Sequence, residues 1–417
     1  MELLTTFILS VFIVYKSFRT PMVGVALLLQ INIVRSLVGL DIFNPCFYCR
    51  EPDFILGAIV PVLCFVVIII KLRLSGKVKY VLDYYDVYFT STILVLFLTS
   101  IYSKDFINSI GFSLKYIFLG SSYYFISKII LINVNNPYKQ LKSFFIWSLG
   151  ITVIFGLLGT YLYIFKGEFV YRLTLPGVHA IPFSQLIGLG VFVSFLIFLT
   201  SGRIFDIQSK FSINLNKVLL PVTMLILFGT NTRGVMLSLA VAIIFYLYAA
   251  KVKIPKRTLY ISGGLILAGL IVVINYIELE VLFSRILAKQ TNESTESRYI
   301  AYIDSLDLFI KHPLGIGPSS FKYYSSLPYP HNLILENIAE YGVFGLLNIV
   351  YLFCIILYMF KLTITKARIS PWFIIIFSLF LYYFFETMFS FTLWMHKGMY
   401  LFMGVFAAHH YLYRKNK

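Results

Sequence analysis

Residues 331–345 read His331-Asn-Leu-Ile-Leu-Glu-Asn-Ile-Ala-Glu-Tyr-Gly-Val-Phe-Gly345. Asn332, Glu336 and Glu340 recur every four residues, which places them on one face of a predicted helix. The rest of the run is apolar and continues to residue 360, long enough to cross a bilayer. Ionised carboxylates are expensive in hydrocarbon, so this face must look into the protein or a wet cavity, and such positions are functional candidates by default. Pro330-His331 precedes the helix and puts an ionisable imidazole where the longest polar loop meets it.

Working outward, the whole chain has the same character. Its 417 residues are 59% hydrophobic, 18% aromatic and only 13% charged, with a mean hydropathy of +0.86. Apolar runs of helical spanning length alternate with short charged connectors, which excludes a transmembrane barrel of short alternating strands. The predicted fold is therefore all-α, a polytopic transmembrane bundle of about 12–13 spans. Their expected limits are 3–15, 22–40, 54–71, 87–102, 110–133, 144–165, 182–200, 216–230, 234–250, 259–277, 333–360, 371–390 and 398–413. Residues 1–417 form a single integral membrane domain in this reading.

A net charge of +17 spread over the loops argues against a nucleic-acid partner and matches a positive-inside bias. Threaded alternately, the clusters at 71–79, 251–257, 361–368 and 414–417 fall on one side, the expected cytoplasmic side. The N-terminus lacks a basic leader and a cleavage site, so no signal peptide is expected. Cys64 and Cys354 lie in apolar spans and read as packing residues, whereas Cys46 and Cys49 form a C-x-x-C in the first outer loop, where a disulfide is an open question.

Three outer segments remain. Residues 166–181 hold Arg172 and His179, the turn Gly229-Thr-Asn-Thr-Arg-Gly234 holds Arg233, and the loop 278–332 runs to His331. Within that loop, 298–311 has apolar residues at helical spacing and predicts an amphipathic helix on the membrane surface. His312-Pro-Leu-Gly-Ile-Gly-Pro318 cannot continue it.

Arg172, Arg233, Arg298 and His331 come from separate stretches, yet the threading brings all four to the outer interface. Arginines offer planar forks of donors suited to phosphate oxygens. No metal-binding spacing competes with them. His331, ahead of a helix N-terminus that disfavours its charged form, has the properties of a general base for a sugar hydroxyl. The bland readings are that arginines at span ends anchor headgroups, that Glu336 and Glu340 are helix-packing hydrogen bonders, and that Arg35 and Lys115 either line a cavity or snorkel.

Taken together, Thr232-Arg-Gly234 opening a span, Arg298 followed by His312-Pro-Leu-Gly-Ile-Gly317, and His331-Asn332 with Glu340-Tyr-Gly-Val-Phe-Gly345 resemble the bacterial O-antigen polymerase and O-antigen ligase superfamily. Arg172-Leu-Thr with Pro176 resembles its earlier arginine motif but lacks the usual continuation. The resemblance is close over the second half of the chain. It implies a metal-independent, cofactor-free GT-C type glycosyltransferase of lipopolysaccharide biosynthesis in the bacterial inner membrane, with a periplasmic active site. The implied donor is an undecaprenyl-diphosphate-linked oligosaccharide. His331 would be the catalytic base, Arg172, Arg233 and Arg298 would bind diphosphate, and Asn332, Glu336 and Glu340 would support them. Such an enzyme would work beside a flippase and a chain-length regulator. Polymerase, with a second lipid-linked repeat unit as acceptor, is the preferred expectation. Ligation to lipid A-core is the alternative, and a polysaccharide transporter or flippase is the reading from another class.

Overall fold

The computed structural model describes residues 2–34, 55–76, 78–166, 172–175, 178–252 and 293–415. The expected span 259–277, the Cys46 and Cys49 pair, Arg35 and the first part of the long loop lie outside them. Every regular element among the described residues is helical. Six helices there are long and apolar enough to cross a membrane, at Ile55–Leu74, Phe106–Asn133, Pro137–Ile164, Ala180–Thr200, Lys210–Gly229 and Leu333–Lys366, with shorter apolar helices at Arg233–Ala249 and Pro371–Glu386. The chain is a polytopic helical membrane protein.

The chain divides into two compact units, one of residues 1–71, 136–243 and 251–289, the other of 72–135, 244–250 and 290–417. The first unit contains α1 (Glu2–Arg19), α2 (Pro21–Leu29), α3 (Ile31–Val34) and most of α4 (Val60–Leu74). It also holds α8 (Pro137–Lys166), α9 (Ala180–Thr200), α10 (Lys210–Gly229) and the start of α11 (Arg233–Ala249). α9 is apolar all round and mostly buried, as a core helix must be. It approaches α8 closely because Gly190 carries no side chain: a Cβ there would stand 2.3 Å from Thr152. The Thr152 hydroxyl donates to the Leu186 carbonyl across the same contact at 3.0 Å.

The second unit contains α5 (Tyr84–Ser100), α6 (Phe106–Lys115), α7 (Ser122–Asn133), α12 (Glu293–Lys311), α13 (Leu333–Lys366), α14 (Pro371–Glu386) and α15 (Lys397–Lys415). α7 and α15 meet through Gly404, packed on the Tyr124 backbone, and Ser127, whose hydroxyl donates to Leu401 at 3.2 Å. α5 starts on a reciprocal cap: Asp83 accepts from the Tyr85 and Asp86 backbone, and the Asp86 carboxylate accepts from Asp83 N–H. Those two aspartates also hold the buried Lys128 ammonium, at 2.9 and 2.6 Å. Tyr80 and Tyr124 hydroxyls donate to Asp86, so each charge in this buried knot has partners.

The expected amphipathic helix is α12. Ala301 and Leu308 pack into a small core with Ile316, Phe321 and Ala339, while Tyr299, Ile300, Ile303, Leu306 and Ile310 remain exposed. Cys64 is buried as expected, but Cys354 is exposed. Cys354 lies on the outward flank of α13 beside the exposed Val350 and Phe353, so its sulfur does not pack in the core.

Candidate functional site

α13 begins on Asn332, whose side-chain oxygen accepts from Ile334 and Leu335 N–H at 3.0 and 3.1 Å. Its amide donates to Met388 O at 3.2 Å, and Leu333 N–H donates to Thr387 O at 3.0 Å. The segment leaving α14 is thereby fastened beside His331. The acidic pair fastens two further stretches. Glu336 is buried and accepts from the Thr392 hydroxyl and Leu393 N–H. Glu340, one turn on and also buried, accepts from Ser319 N–H at 2.9 Å and Phe321 N–H at 3.2 Å. The polar face of α13 therefore looks into protein, where its carboxylates meet loop backbone.

Two turns into α13 the helix is interrupted. Gly342 adopts φ +60° and ψ −140°. The carbonyls of Ala339 and Glu340 accept instead from Ile316 and Gly317 N–H, and Val343 N–H donates to Pro313 O. A Cβ at Gly342 would lie 2.2 Å from Pro313 O, so only glycine fits. The stretch after α12, expected to break the helix, is what fills this gap. Its far side docks on the α5–α6 corner, where Ser320 bonds Ser103 and Ser109 donates to Pro318 O.

His331 has φ +57°, a left-handed conformation sparsely used by side-chain-bearing residues. Its ring lies 4.3 Å, centroid to centroid, from that of Tyr329. Burial first and the Glu336 carboxylate second push the Tyr329 phenol above its ordinary value, and the Arg298 guanidinium pulls it back. The second unit thus gathers His331, Tyr329, Arg298 and Glu336 around the start of α13. Tyr329 and the 387–393 segment were not singled out in the sequence. No motif marks them, because their place depends on the clamp formed by Asn332 and Glu336.

The first unit gathers the other two arginines. Leu173 N–H donates to Gly229 O at 2.9 Å, so the backbone next to Arg172 lies against the turn that carries Arg233. In that turn Asn231 takes φ +48°, and its buried Oδ1 has no hydrogen-bond partner among the described residues. Arg233 is the first residue of α11, where unpaired helical N–H groups and the positive end of the helix dipole favour an anion. The same Arg233 lines a cavity of about 560 Å³ whose other walls are apolar, formed by Val191, Met224, Leu227, Phe228, Met236 and Leu237 among others. Phe228 and Leu237 are themselves exposed, so the cavity opens on the flank of the unit. His179 accepts from Ile181 N–H as the cap of α9, an ordinary loop role.

Residues 218–350 match the family model described as O-antigen ligase. No curated protein matches the chain. The matched stretch contains Arg233, Arg298, His331, Glu336 and Glu340, and Arg172 precedes it. The chain carries an O-antigen ligase family domain, which supports a function of the O-antigen polymerase or ligase type.

Proposed function

On the premise of that domain, we propose that the chain is an O-antigen polymerase. It would transfer a glycan from an undecaprenyl-diphosphate-linked donor to a hydroxyl of a second lipid-linked repeat unit. The observation that carries the reading is the apolar, laterally open cavity lined by the Arg233 guanidinium. A long isoprenoid tail needs apolar walls reachable from the bilayer, and its diphosphate needs fixed positive charge.

In the reaction proposed, the imidazole of His331 takes the proton of the acceptor hydroxyl. The hydroxyl oxygen forms a bond to the anomeric carbon while the bond from that carbon to the diphosphate breaks, inverting the centre. The electron pair leaves with the diphosphate, whose developing charge is stabilised by Arg172 and Arg233. Arg298, near Tyr329 and therefore near His331, adds positive charge for the acceptor. Asn332, Glu336 and Glu340 fasten Met388, residues 392–393 and residues 319–321 to the helix that follows His331. The reading places the protein in the bacterial inner membrane, with its chemistry on the periplasmic face and a flippase and chain-length regulator as neighbours.

The test is transfer by the purified protein in nanodiscs, supplied with lipid-linked repeat units and EDTA, for wild type and His331→Ala. A ladder of lengthening glycans that vanishes in the variant supports a metal-independent polymerase. Product only after lipid A-core is added identifies a ligase. No product with either acceptor removes the transferase reading and favours a transporter.

A further inference from the structure

The short arm that leads into α13, Leu327-Pro328-Tyr329-Pro330-His331, carries an aromatic ring that the proposed reaction does not use. The arm is anchored at both ends. Leu327 packs on the small core of Ala301, Leu308, Ile316, Phe321 and Ala339. At the far end Asn332 caps α13 and its amide donates to Met388 O, while Pro330 between them is buried. Each proline fixes its own φ at about −65° and holds the residue before it, here Leu327 and Tyr329, in the extended region. The backbone of the arm therefore has few conformations open to it, and it delivers His331 at φ +57°.

A fixed backbone does not fix a ring. The imidazole still turns about two side-chain bonds, and the second of these is a broad, soft torsion. The Tyr329 ring meets it there, with centroids 4.3 Å apart and planes tilted by 49°. At that separation the two rings touch, and the phenol ring is a rigid wall through which the imidazole cannot turn. The wall is itself half-buried. Its phenol lies within electrostatic reach of Glu336 on α13 and Arg298 on α12, so it stands where those two helices come together.

We propose that Tyr329 is a positioning residue for His331, its ring holding the imidazole in the one orientation that aims a ring nitrogen at the acceptor hydroxyl. The inference rests on the glycosyl-transfer reading for the task of the imidazole. A general base works only within hydrogen-bond reach of the proton it takes, and a misplacement of about 1 Å costs as much as 10²-fold in rate. The role belongs to the ring and not to the hydroxyl, so phenylalanine fills it. Without the wall the imidazole spends part of its time turned away. Turnover then falls while both substrates still bind.

The test compares Tyr329→Phe and Tyr329→Leu in the full-length protein in nanodiscs. Tyr329→Leu should lower kcat by about tenfold or more with donor and acceptor KM unchanged, and Tyr329→Phe should stay within about threefold of wild type. Adding Tyr329→Leu to His331→Ala should change the residual transfer little, because a wall without an imidazole has nothing to hold. An equal loss with and without the imidazole, or a loss in Tyr329→Phe as deep as in Tyr329→Leu, overturns the positioning role. A second measurement reads the ring without the reaction. Carbethoxylation of His331 by diethyl pyrocarbonate, followed by mass spectrometry of its peptide, should quicken severalfold in Tyr329→Leu and keep the wild-type rate in Tyr329→Phe. One rate in all three proteins overturns the proposal whether or not transfer is seen. Should Tyr329→Leu fail to fold, Tyr329→Met takes its place in both measurements. A wild type that transfers nothing, with carbethoxylation still dependent on the ring, removes the transferase reading alone. Transfer and carbethoxylation that both ignore the substitution remove the positioning role alone.

Discussion

Glu336 accepts the backbone N–H of Leu393 at 3.1 Å from each of its two oxygens. A carboxylate in the first helical turn after His331 thereby holds the segment that carries Trp394. Glu336→Ala would leave Leu393 N–H and the Thr392 hydroxyl buried without a partner, a loss of about 1–3 kcal/mol for each such group. Thermal unfolding in detergent should show the destabilisation, with Glu336→Gln closer to wild type because its amide oxygen still accepts. An unshifted transition in Glu336→Ala would show that the clamp adds nothing.

His331 occupies a left-handed backbone position at a cost of about 1–2 kcal/mol for a residue with a Cβ. Glycine has no such cost, so His331→Gly and His331→Ala should part in stability while agreeing in activity. We expect the glycine variant to unfold about 1 kcal/mol later than the alanine variant. Both should lose transfer by about two orders of magnitude or more, the usual scale for a missing general base. Donor binding should survive in both. If His331→Gly retained turnover, the ring would be a packing group and the base would lie elsewhere.

Asp105 offers a test by pH. Backbone and side-chain hydrogen bonds from Asn108, then the Tyr323 hydroxyl at 2.9 Å, hold its exposed carboxyl below the ordinary carboxylate range. A lowered folded value means that the contribution is complete above the unfolded value, near 3.9, and is lost as pH falls through the folded one. Hydrogen exchange at residues 319–324 should therefore quicken below about pH 4 and show no such step in Asp105→Asn.

Lys128 sits between Asp83 and Asp86 with its side chain fully buried. Lys128→Met would leave two carboxylates facing each other without their cation, a loss of about 3–5 kcal/mol. Replacing all three residues by apolar ones should recover only part of it, since the cap of α5 and the acceptor of the Tyr80 and Tyr124 hydroxyls go with the aspartates. A single variant as stable as wild type would show that the knot is wet and screened.

The helical class and the six spanning helices among the described residues were legible because membrane crossing imposes a long apolar run, a signal that survives any detail of packing. The start of α13 was legible too, since a fourfold polar period leaves few other readings. What its carboxylates do was not. Whether Glu336 and Glu340 face water, a ligand or a backbone depends on residues 319–321 and 392–393, distant in sequence and joined to them only by the fold. The interruption at Gly342 was hidden for the same reason. One glycine in an apolar run looks like a close-packing residue until the 313–317 stretch is seen filling the gap. The knot at Lys128 escaped notice because a lone lysine in a span reads as a snorkelling residue, and its partners lie more than forty positions earlier.

Arg233 is exposed, opens α11 and lines the apolar cavity, and two measurements separate a ligand-binding role for it from a structural one. A structural role would show in stability. An exposed side chain away from the core usually changes stability by no more than about 0.5 kcal/mol when removed, so Arg233→Ala should fold and unfold as wild type does. A role in holding the leaving diphosphate shows in turnover. Removing one fixed donor from a developing oxyanion costs about 10²–10³ in rate. Arg233→Lys keeps the charge but loses the planar fork, so it should fall between the two. Steady-state transfer with a lipid-diphosphate donor reads both the rate and the donor KM. Alanine and lysine variants that turn over like wild type would reduce Arg233 to a headgroup anchor and take the donor-binding argument with it.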